Sequence, residues 1–205
     1  MSLAYNRRVS ELQSRESFSA QVGRSVIART CVLLAFVGSM WCIRLLDTFR
    51  VDGSSIAGAG IVPRDPSYLT GLATAPFIHA NWPHLIANTI PLLALGSIVL
   101  LGGVAEFVFV TIVCAVVGGF GTWLFGSAGH HIGASGVIFG YVGYLLARSA
   151  FDRRIWFVAV TVFVAFLYGS ALVWSLVPRS GVSWSGHLFG FIGGVAAAKL
   201  RKVGE

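Results

Sequence analysis

Apolar residues gather into six stretches, 26–46, 83–101, 104–124, 134–150, 155–177 and 185–200, each near the length of a membrane-crossing helix. Crossing a hydrocarbon core about 30 Å thick takes roughly 20 mostly apolar residues in an α-helix, whose backbone polar groups are satisfied internally. With 56% hydrophobic and 11% charged residues in a chain of 205, and a mean hydropathy of +0.79, no water-soluble core would enclose so much apolar surface. The expected fold is an all-α polytopic membrane protein of six transmembrane helices. The expected setting is the cell (plasma) membrane, with the lipid bilayer as solvent.

The polar segment 1–24, carrying Arg7, Arg8, Glu11, Arg15, Glu16 and Arg24, reads as a short cytoplasmic tail. The remainder, 25–205, reads as one membrane-embedded domain, because no linker or mid-chain charge block divides it. The first apolar run is long enough to span and has no small-x-small cleavage pattern behind it, so it reads as an anchor and not as a signal peptide. With the N-terminus inside, 11 of the 15 Lys and Arg fall on the cytoplasmic side, which favours both termini in the cytoplasm. The net charge of +7 would suit nucleic acid, but the basic residues fringe the apolar runs instead of forming an aromatic-flanked patch, so no nucleic-acid partner is expected. Cys31, Cys42 and Cys114 lie inside apolar runs without Cys-x-x-Cys spacing and read as small hydrophobes, neither disulfides nor metal ligands.

Polar side chains inside a bilayer are costly, so each one is a functional candidate. In this topology Ser135, His84, Asn88 and His187 converge on the outer leaflet from three helices. If Arg148 reaches the inner interface, Ser135 lies about 20 Å above it and about 10 Å below the outer surface, which implies a wet pocket opening outward. A lone membrane serine is ordinarily a packing residue, bonded back to its own helix, and a lone histidine is as readily an interhelical donor. The glycines change that balance. Gly136, Gly140 and Gly143 on one helix, and Gly190 and Gly194 following His187 on another, form two small-residue faces that can pack backbone to backbone. Such packing would bring Ser135 within hydrogen-bond reach of His187, as an activated serine requires. No acid accompanies them: Asp47, Asp52, Asp65 and Asp152 fall in loops and Glu106 at the cytoplasmic edge. The expectation is a Ser–His dyad with Phe139, one turn after the serine, packed on the imidazole. In "HANWPHLIAN" Asn81 can cap a helix, Pro83 suits its first turn, and His84 and Asn88 share a face, either bridging helices or cradling an oxyanion with the Ser135 amide.

The set "HANWPHLIAN", "GASG" and "GHLFGFIGG", in that order on alternate spans, resembles the rhomboid intramembrane serine proteases, particularly compact bacterial six-span members. The resemblance covers roughly residues 60–200. It implies Ser135 as nucleophile, His187 as general base and acid, and His84, Asn88 and the Ser135 amide as oxyanion hole. Phe139 stands where the family carries an aromatic stacked on the histidine, Glu106 in "GGVAE" matches the glutamate after the second span, and His79 takes a supporting role, as do Gly133, Gly136 and Gly190. The Trp-Arg pair many rhomboids carry in the first outer loop is absent, with Arg64 alone in "VPRDPSYLTG". The resemblance implies transmembrane protein substrates, no cofactor, an active site opening to the extracytoplasmic side, and a substrate gate between the second and fifth helices, with Phe163 and Trp174 as candidate lining. The alternatives are a catalytically inactive rhomboid-like protein that binds membrane clients, and a metal-dependent enzyme or transporter using the histidines. The latter lacks a His-Glu-x-x-His run and an intramembrane carboxylate, and His130 and His131 read as solvated loop residues.

Overall fold

The structure is a computed structural model, and it describes residues 2–50, 55–151 and 181–203 together with positions 159, 162, 163, 166, 170, 173, 174 and 177. For 2–20, 150, 151, 202 and 203 only the helical path is described. Among the described residues the chain is all-helical, with no strand: α1 (Ser2–Thr48), a one-turn α2 (Gly71–Thr74), α3 (Trp82–Val99), α4 (Val104–Phe125), α5 (Ser135–Phe151) and α6 (Trp184–Val203). Among the described residues three helical segments are long and apolar enough to cross a bilayer, Gln21–Thr48, Trp82–Gly102 and Val104–Phe125. Four of the six predicted apolar stretches thus coincide with α3, α4, α5 and α6 to within a few residues, and the first lies inside α1. Most of the fifth, 155–177, lies outside the described residues. Within it Phe163 and Trp174 are exposed, and the predicted gate also falls outside what is described.

Side-chain spacing explains how each helix is used. On α1 the buried residues are Leu33, Phe36, Val37 and Met40, one stripe at helical spacing that packs toward α3, while Val26, Ile27, Leu34 and Leu46 face outward. Exposed isoleucines and phenylalanines on α3 and α4, such as Ile90, Ile112 and Phe120, would be a liability in water and suit lipid. α5 differs: every residue from Val137 to Leu145 is buried, so it is enclosed on all sides and forms the centre of the bundle. Its closest neighbour is α6. A Cβ on Gly190 would overlap the Gly136 carbonyl, one on Gly194 the Gly140 carbonyl, and one on Gly143 the Phe191 carbonyl. The two backbones therefore touch along the glycine faces the sequence predicts.

The segment between α1 and α3 is ordered where described, in short 3-10 turns and α2, and lies against α4. Arg64 anchors it. Its backbone N–H donates to the Trp123 carbonyl at 2.8 Å and its guanidinium donates to the Leu124 and Gly126 carbonyls at 3.2 Å, covering acceptors freed at the C-terminus of α4. Trp123 returns a bond from its indole to the Asp65 carbonyl at 3.1 Å. An arginine on the loop and a tryptophan on α4 here join in holding this loop to the bundle. At the far end of α4, Gly103 takes φ +104°, and Glu106 accepts the Tyr144 hydroxyl of α5.

Candidate active site

Ser135 is the first residue of α5 and His187 lies in the first turn of α6. The glycine contact between these helices sets their separation, and it brings the Ser135 hydroxyl to 2.8 Å from His187 Nε2. Gly136 lies against Gly186 and Gly190 immediately beside that pair, and a Cβ on Gly190 would run into the Gly136 carbonyl. His187 is 8% exposed, and the Phe139 ring lies on its imidazole with centroids 4.4 Å apart and planes tilted by 33°. Phe139 follows Ser135 by one helical turn, which is why nucleophile and ring meet the same histidine.

The loop that delivers Ser135 is tied residue by residue to the segment before α3. His131 exchanges both backbone bonds with Ile61, N–H to carbonyl at 2.8 and 3.0 Å. The Gly133 N–H donates to the Ala75 carbonyl at 2.8 Å, and the Ala134 N–H points to His79 Nε2 at 3.4 Å. Gly133 has φ +112°, a conformation that favours glycine, and a Cβ there would press on the His84 imidazole at 2.8 Å. Here glycine is required twice, by backbone and by space. His79 is buried and its ring meets His84 edge-on at 5.1 Å. Burial first, and the nearby His84 second, lower its imidazole from 6.5 to about 4, in keeping with a neutral ring that accepts the Ala134 N–H.

α3 supplies the remaining predicted residues. Asn81 caps it through Oδ1, which accepts the His84 N–H at 2.8 Å, and Pro83 occupies its first turn. His84 faces Gly133 and lines an open cavity of about 510 Å³ together with Ser127, His130, His131 and Ser183. Asn88 is 4% exposed and donates one amide N–H to the His84 carbonyl at 2.8 Å, so the side chain is held on its own helix with its second N–H to give. Ser135 itself lines a second, narrow pocket of about 40 Å³, walled by Gly118, Thr122, Gly133, Gly136 and Ser183.

One expectation is corrected. His131 is not a solvated loop residue: it is half-buried and both ring nitrogens are engaged, Nδ1 with the Ser183 hydroxyl at 2.7 Å and Nε2 with the Ser127 carbonyl at 2.8 Å. The partner that holds it lies 52 residues away in sequence, beyond the reach of any local pattern. His130 is exposed, as expected, with Tyr68 edge-on at 5.4 Å. No group of three or more His, Cys, Asp or Glu able to hold a metal occurs among the described residues. Among the described residues no acceptor takes the Ser135 N–H, which belongs to the first turn of α5.

Comparison with known proteins bears on the family of the chain. An uncharacterized protein of Mycobacterium tuberculosis is 41% identical over 191 residues, covering 89% of this chain and 78% of that one. An uncharacterized protein of Mycobacterium leprae is 41% identical over 182 residues, covering 84% and 71%. A Bacillus subtilis protein provisionally named a rhomboid protease is 28% identical over 125 residues, covering 60% and 62%. The family model for the rhomboid domain matches residues 66–202, and the chain belongs to the rhomboid family.

Proposed function

We propose that the chain is an intramembrane serine endopeptidase that hydrolyses peptide bonds in or near the transmembrane segments of other membrane proteins. The observation that carries this reading is the 2.8 Å contact between Ser135 Oγ and His187 Nε2, with Phe139 stacked on the imidazole. In this reading 25–205 is the protease domain and 1–24 a cytoplasmic tail. Six helices cross the plasma membrane, both termini are cytoplasmic, and the cavity beside His84 opens to the extracytoplasmic side.

The chemistry follows from the residues. His187 Nε2 takes the Ser135 hydroxyl proton as Oγ bonds to the scissile carbonyl carbon, and the carbonyl oxygen becomes an oxyanion. The Ser135 N–H, the free amide proton of Asn88 and the His84 imidazole are the donors that would receive it. His187 then gives its proton to the departing amine, the C–N bond breaks, and an acyl-enzyme remains on Ser135. Water from the cavity, deprotonated by His187, attacks that ester, and as its bond to Ser135 Oγ breaks His187 returns the proton to Oγ and the new carboxyl terminus is released. A helical substrate hides its carbonyls, so the segment must unwind before Ser135 can reach one, which favours small and helix-breaking residues near the cleaved bond.

The test is reconstitution with a panel of fluorogenic transmembrane substrates and a fluorophosphonate label. Wild type is expected to cleave and to label at Ser135, and Ser135→Ala and His187→Ala to do neither. If wild type neither cleaves any substrate nor labels, the inactive client-binding reading replaces this one. Cleavage that survives Ser135→Ala and is lost to chelators would transfer the activity to a metal.

A further inference from the structure

Four residues before Ser135, and four before His187, the chain carries a second serine–histidine contact with the partners exchanged: His131 on the serine loop and Ser183 just ahead of α6. The proton positions can be read from the acceptors. The Ser127 carbonyl 2.8 Å from Nε2 can only accept, so in the neutral ring Nε2 carries the proton and Nδ1 accepts from the Ser183 hydroxyl at 2.7 Å. With its proton directed at His131, the Ser183 oxygen presents lone pairs to the Gly186 N–H at 3.3 Å, while the Ser183 carbonyl accepts the His187 N–H at 3.1 Å. Ser183 is therefore the N-cap of α6, and His131 sets the direction of the capping hydroxyl.

The structure assigns to His131 the part of a positioning residue for His187, an assignment that rests on the proposed protease reading. Through Ser183 it ties the first turn of α6, which carries His187, to the loop that carries Ser135. Through its backbone pair with Ile61 the same residue ties both to the segment before α3. Base and nucleophile thus share one brace in addition to the glycine seam, and the brace lies at the end of the helices where the chemistry is. Hydrogen bonds in such a chain polarise one another, so losing one member weakens the rest. Ser183 is poorly suited to be a second nucleophile, because attack through its oxygen would surrender the cap that holds α6.

The experiment compares His131→Asn, His131→Gln, Ser183→Ala and Ser183→Thr in the reconstituted enzyme, with rates expressed per fluorophosphonate-titrated site so that misfolded protein does not count. Asn keeps an acceptor near the position of Nδ1 and loses the Ser127 bond; Gln reaches toward Ser127 and loses the acceptor. Ser183→Ala and His131→Gln are expected to lower kcat roughly tenfold at unchanged KM, since small misplacements of a base are costly. His131→Asn and Ser183→Thr are expected to stay within about threefold of wild type. The double variant His131→Gln/Ser183→Ala should be no slower than Ser183→Ala alone. If Ser183→Ala does not fold, the contrast between Asn and Gln at 131 decides the matter alone. Equal turnover for Asn and Gln, multiplicative losses in the double variant, or fluorophosphonate on Ser183 would overturn the assignment while leaving the protease reading intact. A wild type that neither turns over nor labels would fell that reading, and this assignment with it.

Discussion

A hydroxyl beside an imidazole is useful only while the imidazole cannot turn away, and at the scale of single residues this site spends its contacts on that constraint. The Phe139 ring at 4.4 Å is one of them, and an aromatic contact of this kind is worth about 0.5–1.5 kcal/mol beyond its buried area. Phe139→Leu is accordingly expected to lower kcat by roughly three- to tenfold with KM little changed, and Phe139→Tyr to retain activity. Steady-state kinetics on one transmembrane substrate checks both. Gly133→Ala should be more severe, because the new Cβ needs φ +112° and meets the His84 ring; loss of cleavage by at least about 100-fold is expected in protein that still purifies folded. His79 gives a pH dependence. Its folded value, about 4, lies below the 6.5 of a free imidazole, so below 6.5 the unfolded chain takes up a proton that the folded chain refuses. Stability contributed by the neutral ring is therefore present at neutral pH and lost progressively as pH falls from 6.5 toward 4. The melting temperature of wild type in detergent should drop across that window, and the His79→Gln profile should be flatter. Equal slopes would remove His79 from the account. Phe139 was legible from its spacing to Ser135, and Asn81 from its place before Trp-Pro. His131 was not, because its meaning comes from Ser183, which only the folded chain brings near.

At the scale of elements, two devices set the geometry, and they differ in how far a sequence can reveal them. The seam between α5 and α6 was visible, since glycines at helical spacing beside a serine on one helix and a histidine on the other announce a close approach. The stitching of the serine loop to Ile61, Ala75 and His79 was only half visible. Two of its three contacts run backbone to backbone, and such bonds place no demand on residue type that a reader could detect. The same holds for Arg64, which looked like the remnant of a missing pair and instead caps α4 by bonds to carbonyls. The seam itself can be tested. Gly190→Ala and Gly194→Ala each push a methyl into a facing carbonyl, at the Gly136 and Gly140 oxygens respectively, and each should destabilise the fold by about 1–3 kcal/mol. Gly190 lies one turn from His187 and Gly194 two turns away. Cleavage per folded molecule should thus fall much further for Gly190→Ala than for Gly194→Ala, while the two lose similar thermal stability. If both variants lose activity only in proportion to stability, the seam holds the fold together without aiming the dyad.

At the scale of the molecule, the question is what surrounds the bundle and which way it faces. The exposed Val26, Ile90, Ile112 and Phe120 belong to three different helices and point outward from a centre occupied by α5, a distribution that suits a solvent of lipid tails on several sides. Orientation rests on Lys and Arg placement, with Arg148, Lys199, Arg201 and Lys202 at one end of α5 and α6 and the Ser135–His187 contact at the other. Positive residues are held on the cytoplasmic side, so the reaction site should face away from it, and the cavity lined by Ser127 and Gly129 should be reachable from outside the cell. The native cysteines make this measurable. Cys114 is buried, and Cys31 and Cys42 can be replaced by alanine or serine on the outward face of α1 without emptying the core. In such a background, Ala128→Cys should react with a membrane-impermeant maleimide added to intact cells. Lys202→Cys should react only after the membrane is opened. The opposite pattern would invert the topology. It would put the serine in a reducing, cytoplasmic setting and oblige substrates to present their unwound segments from the inner leaflet.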